Sequence, residues 1–510
     1  MASPSSAPDP GLVALARRAA ELESRGAWAE AIASWSAAVA HSPAFVPAQL
    51  GLAQALIRAG RPAEALPLLG RTSAAAPGQP SVWLALGVAQ SMLGRHDLAI
   101  DNAKRAVALA PNVGALHSGL GDVLRQAGRL GDAADAYRKA VAKAPDDPDA
   151  LNKLAVVERA FGRRDSADAL LRRAHARAPH HPYVRVNLGT LQLELGREAE
   201  GRALLEPAIG DPALPEDARA EATDAIAALA EHAAMTPSIA ASLASDDPGP
   251  IAAALRSAHR PAEPDRDLLD RYASIAERLA GAPSVDTLFA AGAPRSRAWP
   301  AIEACHNFLA PRTHEDLARC VALVANAAGA RSDDDLDVVR YAKVVADGPH
   351  NGPDPADAVA VEGWLRWRHA QIVGHRTDLR PGQIKIINNL IGNAPDTPLT
   401  TAARFPATLQ AILSELAPRI PSGAWRAVYL YAALLRMHPF ADGNGRVMRL
   451  FLNLQLVRAG LFPHLRAEGG DGDVVAQAQR GDFRPLVERL AEGSRRGAAL
   501  DREWAERESH

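Results

Sequence analysis

The chain has 510 residues, a length that predicts about three folding units at roughly 150 residues each. Hydrophobic residues make up 48% of the chain and charged residues 23%, which is typical of soluble globular proteins. A net charge of -2 argues against a generally basic nucleic-acid-binding protein. No apolar run is long enough to cross a bilayer, and the N-terminus lacks the pattern of a signal peptide. Because Cys305 and Cys320 are too few for a disulfide framework, we expect a cytoplasmic protein with no membrane or nucleic-acid partner.

Glycine and proline recur every 34 residues in the N-terminal part of the chain. The glycines are Gly26, Gly60, Gly94, Gly128, Gly162 and Gly196. The prolines are Pro43, Pro77, Pro111, Pro145 and Pro179. Two columns of small residues keep the same interval, Ala19 to Gly189 and Ala31 to Gly201. The pattern predicts pairs of closely packed helices, with glycine in the turn of each pair and proline after the second helix.

These columns resemble the tetratricopeptide repeat family over residues 11–206, with five full repeats and a sixth weaker one. The resemblance implies a helical solenoid whose concave face binds a protein target or regulator. Larger residues such as Trp83 and Tyr137 are expected to fill the core between repeats. Nothing in the sequence identifies the ligand, and dimerisation is left open.

The middle of the chain loses this register near Pro207. Prolines and aspartates cluster at 246–250, so residues 207–295 are predicted to be a linker region of short helices. Further helices are predicted over residues 267–279, 298–307, 314–328 and 359–373. The segment 382–387 is short and rich in β-branched residues, which predicts a small β-hairpin in a helical region.

The residues suited to chemistry lie between His438 and Arg449, where an apolar helix predicted over 424–437 ends and a second begins. Backbone N–H groups at the start of a helix form an anion-binding site, and two arginines three residues apart add cationic groups suited to phosphate. Asp442 offers an oxygen ligand for phosphate-bound Mg²⁺, and His438 can accept a proton from a hydroxyl. Together they predict transfer of a phosphorus-containing group to an alcohol.

The string from His438 to Arg449 is similar to the Fic family signature HxFx[D/E]GN[G/K]RxxR, and every specified position is met. The resemblance covers residues 296–490 and implies a helical catalytic domain with a β-hairpin flap. It implies transfer of AMP from ATP to a Ser, Thr or Tyr hydroxyl of a protein, with Mg²⁺ as cofactor. Residues 491–510 are left as a charged tail, and no chemistry is assigned from Arg466 onward.

By position, the resemblance implies a role for each residue of this string. His438 would be the general base, Asp442 the Mg²⁺ ligand and Phe440 an apolar anchor of the loop. The phosphates would be held by Gly443, Asn444, Gly445, Arg446 on the β-phosphate side and Arg449 at the γ-phosphate. The flap that pairs with the target segment would comprise Gln383, Ile384, Lys385, Ile386 and Ile387.

Three alternatives stay open on this reading. The donor could supply UMP or phosphocholine, or the site could remove AMP instead of adding it. The protein could also be a binding scaffold with an inert Fic domain.

Many Fic proteins carry an inhibitory helix of pattern [S/T]xxxE[G/N], and Glu303 is the best candidate for its glutamate. Trp299 and Ala304 depart from that pattern, so a surface glutamate is the competing interpretation. The fold class expected overall is all-α, a repeat superhelix followed by a Fic domain.

Overall fold

A computed structural model describes residues 9–258, 263–308, 313–347, 352–376, 380–385, 403–466 and 471–509. Within these ranges the chain forms α-helices and no β-strand, apart from an isolated bridge between Ala291 and Leu461. The all-α fold class is therefore confirmed. The described chain divides into two compact units, one ending at Leu191 and the other beginning at Gln192. Across the same ranges, every helix is too short or too polar to cross a membrane.

The first unit is a series of antiparallel helix pairs. Its helices are α1 (Pro10–Ser24), α2 (Trp28–His41), α3 (Val46–Arg58), α4 (Pro62–Ala75), α5 (Pro80–Met92), α6 (His96–Leu109), α7 (Gly114–Gln126), α8 (Leu130–Lys143), α9 (Pro148–Ala160) and α10 (Arg164–Arg177), and α11 (Pro182–Glu194) crosses the boundary. The recurrent glycines all adopt left-handed φ angles, between 71° and 78°. From α2 to α10, each second helix of a pair ends two residues before a recurrent proline. The predicted turn and stop positions are both confirmed.

The small residues in the repeats are required by close helix contacts. A Cβ atom on Gly87 would lie 2.8 Å from the main-chain oxygen of Ala99, and one on Gly121 would lie 2.5 Å from the Tyr137 ring. Tyr137 is fully buried, and its hydroxyl donates to Asp122 at 2.8 Å. Larger residues at these glycines would overlap their neighbours, because protein interiors are close-packed.

The second unit is built from the remaining helices. They are α12 (Glu198–Ile209), α13 (Glu216–Ser245), α14 (Gly249–Ser257), α15 (Arg266–Ala280), α16 (Trp299–Phe308), α17 (His314–Ala325), α18 (Asp333–Ala346), α19 (Ala358–Val373), α20 (Phe405–Ala411), α21 (Ala424–Met437), α22 (Asn444–Arg458), α23 (Gly472–Gln479) and α24 (Arg484–Glu508). A π-helical turn, Ile412–Leu416, follows α20. The core includes α19, α21 and α22, with fully buried aromatic rings at Tyr429, Tyr431 and Phe451. One disulfide, between Cys305 and Cys320, joins α16 to α17.

Two predicted segments differ from the structure. The linker region contains one 30-residue helix, α13, where short helices are predicted. Its alanine-rich sequence favours helix enough to accommodate Pro237, and the helix ends at Asp246, which has a left-handed φ of 54°. Residues 491–508 belong to α24 and are not a separate tail, because Asp501 accepts hydrogen bonds from the main chain of 295–296.

The predicted β-hairpin is not seen in the described part of the flap. Residues 380–385 carry no strand and contain a turn at 381–382. Ile386 and Ile387 lie outside the described residues.

Candidate active site

His438 sits at the end of α21 in a left-handed conformation, with φ 46° and ψ 59°. This conformation is uncommon for a residue with a side chain and ends the helix sharply. The imidazole is half-buried, and its burial lowers the pKa of His438 to about 4, with a further lowering from the charge of Lys385. The charge of Asp442 and a hydrogen bond to the main chain of His438 both raise this pKa and so oppose the lowering. The side chain is therefore unprotonated at neutral pH, as a general base must be.

The Asn444 side chain fixes the loop that follows His438. Its Oδ1 accepts the N–H of Phe440 at 2.9 Å, and its Nδ2 donates to the main-chain oxygen of Phe440 at 2.8 Å. The same Nδ2 lies 3.2 Å from Nδ1 of His438. Asn444 is buried, so its side chain shapes the loop and orients the imidazole. The side-chain amide is thus engaged within the loop, and the main-chain N–H of Asn444 lies in the first turn of α22.

Phe440 is a buried anchor, and its partner is a histidine that sequence reasoning missed. The rings of Phe440 and His369 are stacked, with centroids 4.0 Å apart and planes 3° apart. Gly382 donates its N–H to Nδ1 of His369 at 2.9 Å, so the proton resides on Nε2, which donates to the main-chain oxygen of Asp442 at 3.0 Å. Burial lowers the pKa of His369 to about 4, consistent with this neutral form. His369 thereby joins the flap to the motif loop.

The glycines at the start of α22 bring the backbone close to other groups. Gly443 has a φ of 77°, and a Cβ atom there would lie 3.2 Å from the His369 ring. The main-chain oxygen of Gly443 accepts from the N–H groups of Arg446 and Val447. In the described chain, the N–H groups of Asn444 and Gly445 make no hydrogen bond and are left for a ligand.

Asp442 is the exposed carboxylate of the loop, with 51% of its side chain accessible. Its Oδ1 accepts the N–H of Gly443 at 2.6 Å, and its Oδ2 lies 3.7 Å from Arg446. Among the residues that the structure describes, no three His, Cys, Asp or Glu side chains gather to hold a metal. One accessible carboxylate fits a Mg²⁺ ion whose other ligands are phosphate oxygens and waters.

The two arginines of the motif have different partners. Arg446 forms an ion pair with the buried Asp337 at 3.0 Å, and its guanidinium lies 5.1 Å from the centre of the Phe308 ring. Arg449 donates instead to the side-chain oxygen of Asn307. Arg446 is thus neutralised by a direct ion pair, whereas Arg449 forms none in the described structure.

Glu303 is buried on α16 and is held by three donors. It accepts hydrogen bonds from Trp299 Nε1 at 3.0 Å, Asn453 Nδ2 at 2.8 Å and the Tyr341 hydroxyl at 3.3 Å. Burial raises the pKa of Glu303 to about 7, while these bonds and the charge of Arg449 oppose the rise. In the described structure it forms no ion pair with Arg449. The surface interpretation of Glu303 is wrong, and the bond expected of an inhibitory glutamate is not formed.

The flap residues that the structure describes pack against the motif loop and α13. Lys385 donates its N–H to the main-chain oxygen of Pro439 at 2.8 Å, and its buried ammonium group has no hydrogen-bond partner among the residues that the structure describes. Burial lowers the pKa of Lys385 to about 7. Ile384 accepts at its main-chain oxygen from His232, and Gln383 donates to the main-chain oxygen of His232 at 3.1 Å. Pairing of the flap with a target stays a prediction.

Comparison with known families agrees with the repeats and the motif. Models described as "Tetratricopeptide repeat" match residues 22–88, 84–148 and 158–223. The model described as "Fic/DOC family" matches residues 361–456, which include most of α19, all of α20 and α21, and most of α22.

The chain is similar to curated proteins over its Fic region. It is 30% identical over 128 residues to "Protein adenylyltransferase Fic" of Nematostella vectensis, covering 24% of this chain and 30% of that protein. It is 28% identical over 142 residues to "Protein adenylyltransferase fic-1" of Caenorhabditis elegans, covering 27% and 28% of the two. The matched region thus spans less than a third of each relative's length.

A solved structure is similar to part of the chain. A thermophilic TPR protein in Thermus thermophilus is 25% identical, covering 35% of this chain and 97% of that one, with a TM-score of 0.32. The sequence pattern, the described helices and the family models agree, and the protein combines tetratricopeptide repeats with a Fic domain.

Proposed function

We propose that this protein is a protein adenylyltransferase, which transfers AMP from ATP to a Ser, Thr or Tyr hydroxyl of a target protein. The observation that carries the proposal is an unprotonated His438 beside the free N–H groups at the start of α22. Similarity of the Fic region to proteins named adenylyltransferases supports AMP as the group transferred.

His438 has one ring nitrogen available for the acceptor hydroxyl. Nδ1 faces the Asn444 amide, whereas Nε2 has no partner among the described residues. In the proposed reaction, Nε2 takes the hydroxyl proton as the hydroxyl oxygen forms a bond to the α-phosphorus of ATP. The bond between that phosphorus and the oxygen bridging to the β-phosphate breaks, and pyrophosphate leaves with the electron pair.

The groups that hold ATP are proposed to surround the first turn of α22. The N–H groups of Asn444 and Gly445 point a positive partial charge at the phosphates, as at other helix N-termini. Asp442 would hold Mg²⁺, which neutralises phosphate charge when bound. Arg449 borders this turn, because its Nη1 lies 3.5 Å from the position of a Cβ atom on Gly445.

The repeats are proposed to bind the target protein or a regulator. This assignment rests on the helical pairs of the first unit and on the usual role of such solenoids. The flap residues 383–385 are proposed to register the target segment, because they are tied to the motif loop next to His438.

One experiment, transfer of label from a labelled donor to protein, tests both the identity of the donor and the role of His438 as the base. The full chain is incubated with Mg²⁺ and with ATP or UTP labelled at the α-phosphate, or with labelled CDP-choline, and labelled protein is measured. We expect label from ATP, and we expect the His438→Ala variant to lose it by at least about a hundredfold. A matched control, His175→Ala, removes a half-buried histidine of α10 and is expected to retain transfer.

Each alternative has its own outcome in this experiment. Label from UTP or CDP-choline in place of ATP would assign a different donor. Absence of transfer from every donor, with the protein folded, would contradict an enzymatic function and favour a binding scaffold.

A further inference from the structure

A third arginine, outside the motif, lies beside Arg449. Arg466 follows α22 and donates from Nη1 to the main-chain oxygen of Asn307 at 3.0 Å. Arg449 donates from Nε to the side-chain oxygen of the same asparagine. One buried residue of α16 therefore holds two guanidinium groups next to each other.

Neither of these arginines forms an ion pair with a carboxylate in the described structure. Two buried acids act on them electrostatically, Glu303 on Arg449 and Asp471 on both arginines. Glu303 is held by three neutral donors, and Asp471 lies 3.5 Å from Nε2 of His464. Arg446, by contrast, is paired with Asp337. Arg449 and Arg466 therefore lack the direct ion pair that Arg446 has, although the charge of Asp471 acts on both of them.

Two adjacent like charges raise the free energy of the protein unless an anion lies between them. Burial first and then the charge of Arg449 lower the pKa of the Arg466 guanidinium, while Asp471 and Tyr431 oppose the lowering. Guanidinium groups offer planar forks that match phosphate oxygens, so a phosphate group is the anion that best fits such a pair.

The pair also lies next to the proposed nucleotide site. Arg449 borders Gly445, whose N–H group is free for a phosphate, and Arg466 lies beyond Arg449 on the shared Asn307. A chain of phosphates that begins at the N-terminus of α22 would reach Arg449 and then Arg466.

We propose that Arg466 is a nucleotide-binding residue that, with Arg449, contacts the terminal phosphate of a nucleoside triphosphate. The pair makes the site selective for triphosphate donors over donors with shorter phosphate chains. This inference rests on the proposed function, because it concerns the donor of the same reaction.

Binding of a graded series of nucleotides tests the inference. The ligands are AMP, ADP and α,β-methylene-ATP, in which the bond that would break is replaced by an unreactive one. Dissociation constants are measured by calorimetry with Mg²⁺ for the full chain and for Arg466→Gln. We expect Arg466→Gln to weaken binding of α,β-methylene-ATP about tenfold and to change AMP binding less than about twofold.

Two further variants make the result specific. Arg466→Lys keeps the positive charge without the fork and is expected to give an intermediate loss. Arg419→Gln removes an exposed arginine that also donates to a main-chain oxygen, that of Glu415, and is expected to change none of the three constants. Thermal unfolding is measured to check that each variant is folded. If Arg466→Gln does not fold, the binding constants of Arg466→Lys are used instead.

The inference and the proposed function fail differently. Equal weakening of all three ligands by Arg466→Gln, or no weakening, would overturn the inference even if the wild type transfers AMP. The wild type could transfer no AMP while Arg466→Gln weakens binding of the triphosphate alone. That result would overturn the adenylyltransferase proposal and support this one. A wild type that binds none of the nucleotides would overturn both.

Discussion

The protonation state of His438 is set by its burial and by two neighbours of opposite charge. Burial and the Lys385 ammonium disfavour the imidazolium, whereas Asp442 favours it. Lys385 is protonated below its own pKa of about 7, so its repulsion is strongest on the acid side of neutrality. A base that must be unprotonated loses activity as pH falls through its pKa, so the acid limb of the rate profile reports this balance.

Replacing Lys385 with methionine removes the cation and keeps an apolar side chain of similar length. The pKa of His438 should then rise towards its usual range, and the acid limb of AMP transfer should move to higher pH by about one unit. The measurement is the transfer rate from pH 4 to 8 at saturating ATP. Lys343→Met, which removes an exposed lysine of α18, is the control, and an unmoved limb in Lys385→Met would contradict the account.

Glu303 illustrates how partners decide the role of a residue. Its two oxygens accept from Trp299, Asn453 and Tyr341, so a glutamine there would turn an N–H₂ group towards a donor. We expect Glu303→Gln to lower the free energy of unfolding by about 1–3 kcal/mol, measured by urea denaturation. We expect AMP transfer to stay within about twofold of the wild type, because Arg449 loses no partner. A large increase in self-modification would show instead that Glu303 restrains the site.

Close packing between helices can be tested at the level of single elements. Gly121 in α7 faces the Tyr137 ring of α8, and Gly131 in α8 has open space around its Cβ position. Gly121→Ala should destabilise the protein by about 1–3 kcal/mol, because the ring is fully buried and must move. Gly131→Ala should be neutral or stabilising by up to about 1 kcal/mol, since alanine favours helix. Thermal unfolding measures both, and equal effects would refute the packing argument.

Helices with strong local sequence patterns can be predicted from the sequence, whereas the contacts that they make cannot. The bounds of α21 agree with the prediction because an apolar run ends at a distinctive loop. The helix α18, which supplies Asp337, has no such marker and was not predicted. His369 was missed because its partners, Gly382 and Phe440, are distant in sequence and meet only through packing.

On the scale of the whole molecule, period and motif are sufficient to predict two kinds of architecture. The repeat spacing of 34 residues predicts pairs of helices, and the motif predicts a turn between two buried helices. Asn307 and Arg466 lie outside any recognisable pattern, and their proximity to Arg449 depends on how α16 packs near the segment after α22. Charge compensation at the phosphate site is therefore a property of the tertiary structure.

The central claim is that His438 drives transfer of an AMP group to a protein hydroxyl. Intact-mass spectrometry of the full chain after incubation with ATP and Mg²⁺, followed by fragmentation of any modified peptide, tests it most directly. The account predicts a mass increase of one or more AMP groups on hydroxyl side chains, absent from His438→Ala and present in His175→Ala. An unmodified wild-type protein that also modifies no added protein, or an equally modified His438→Ala variant, would contradict it.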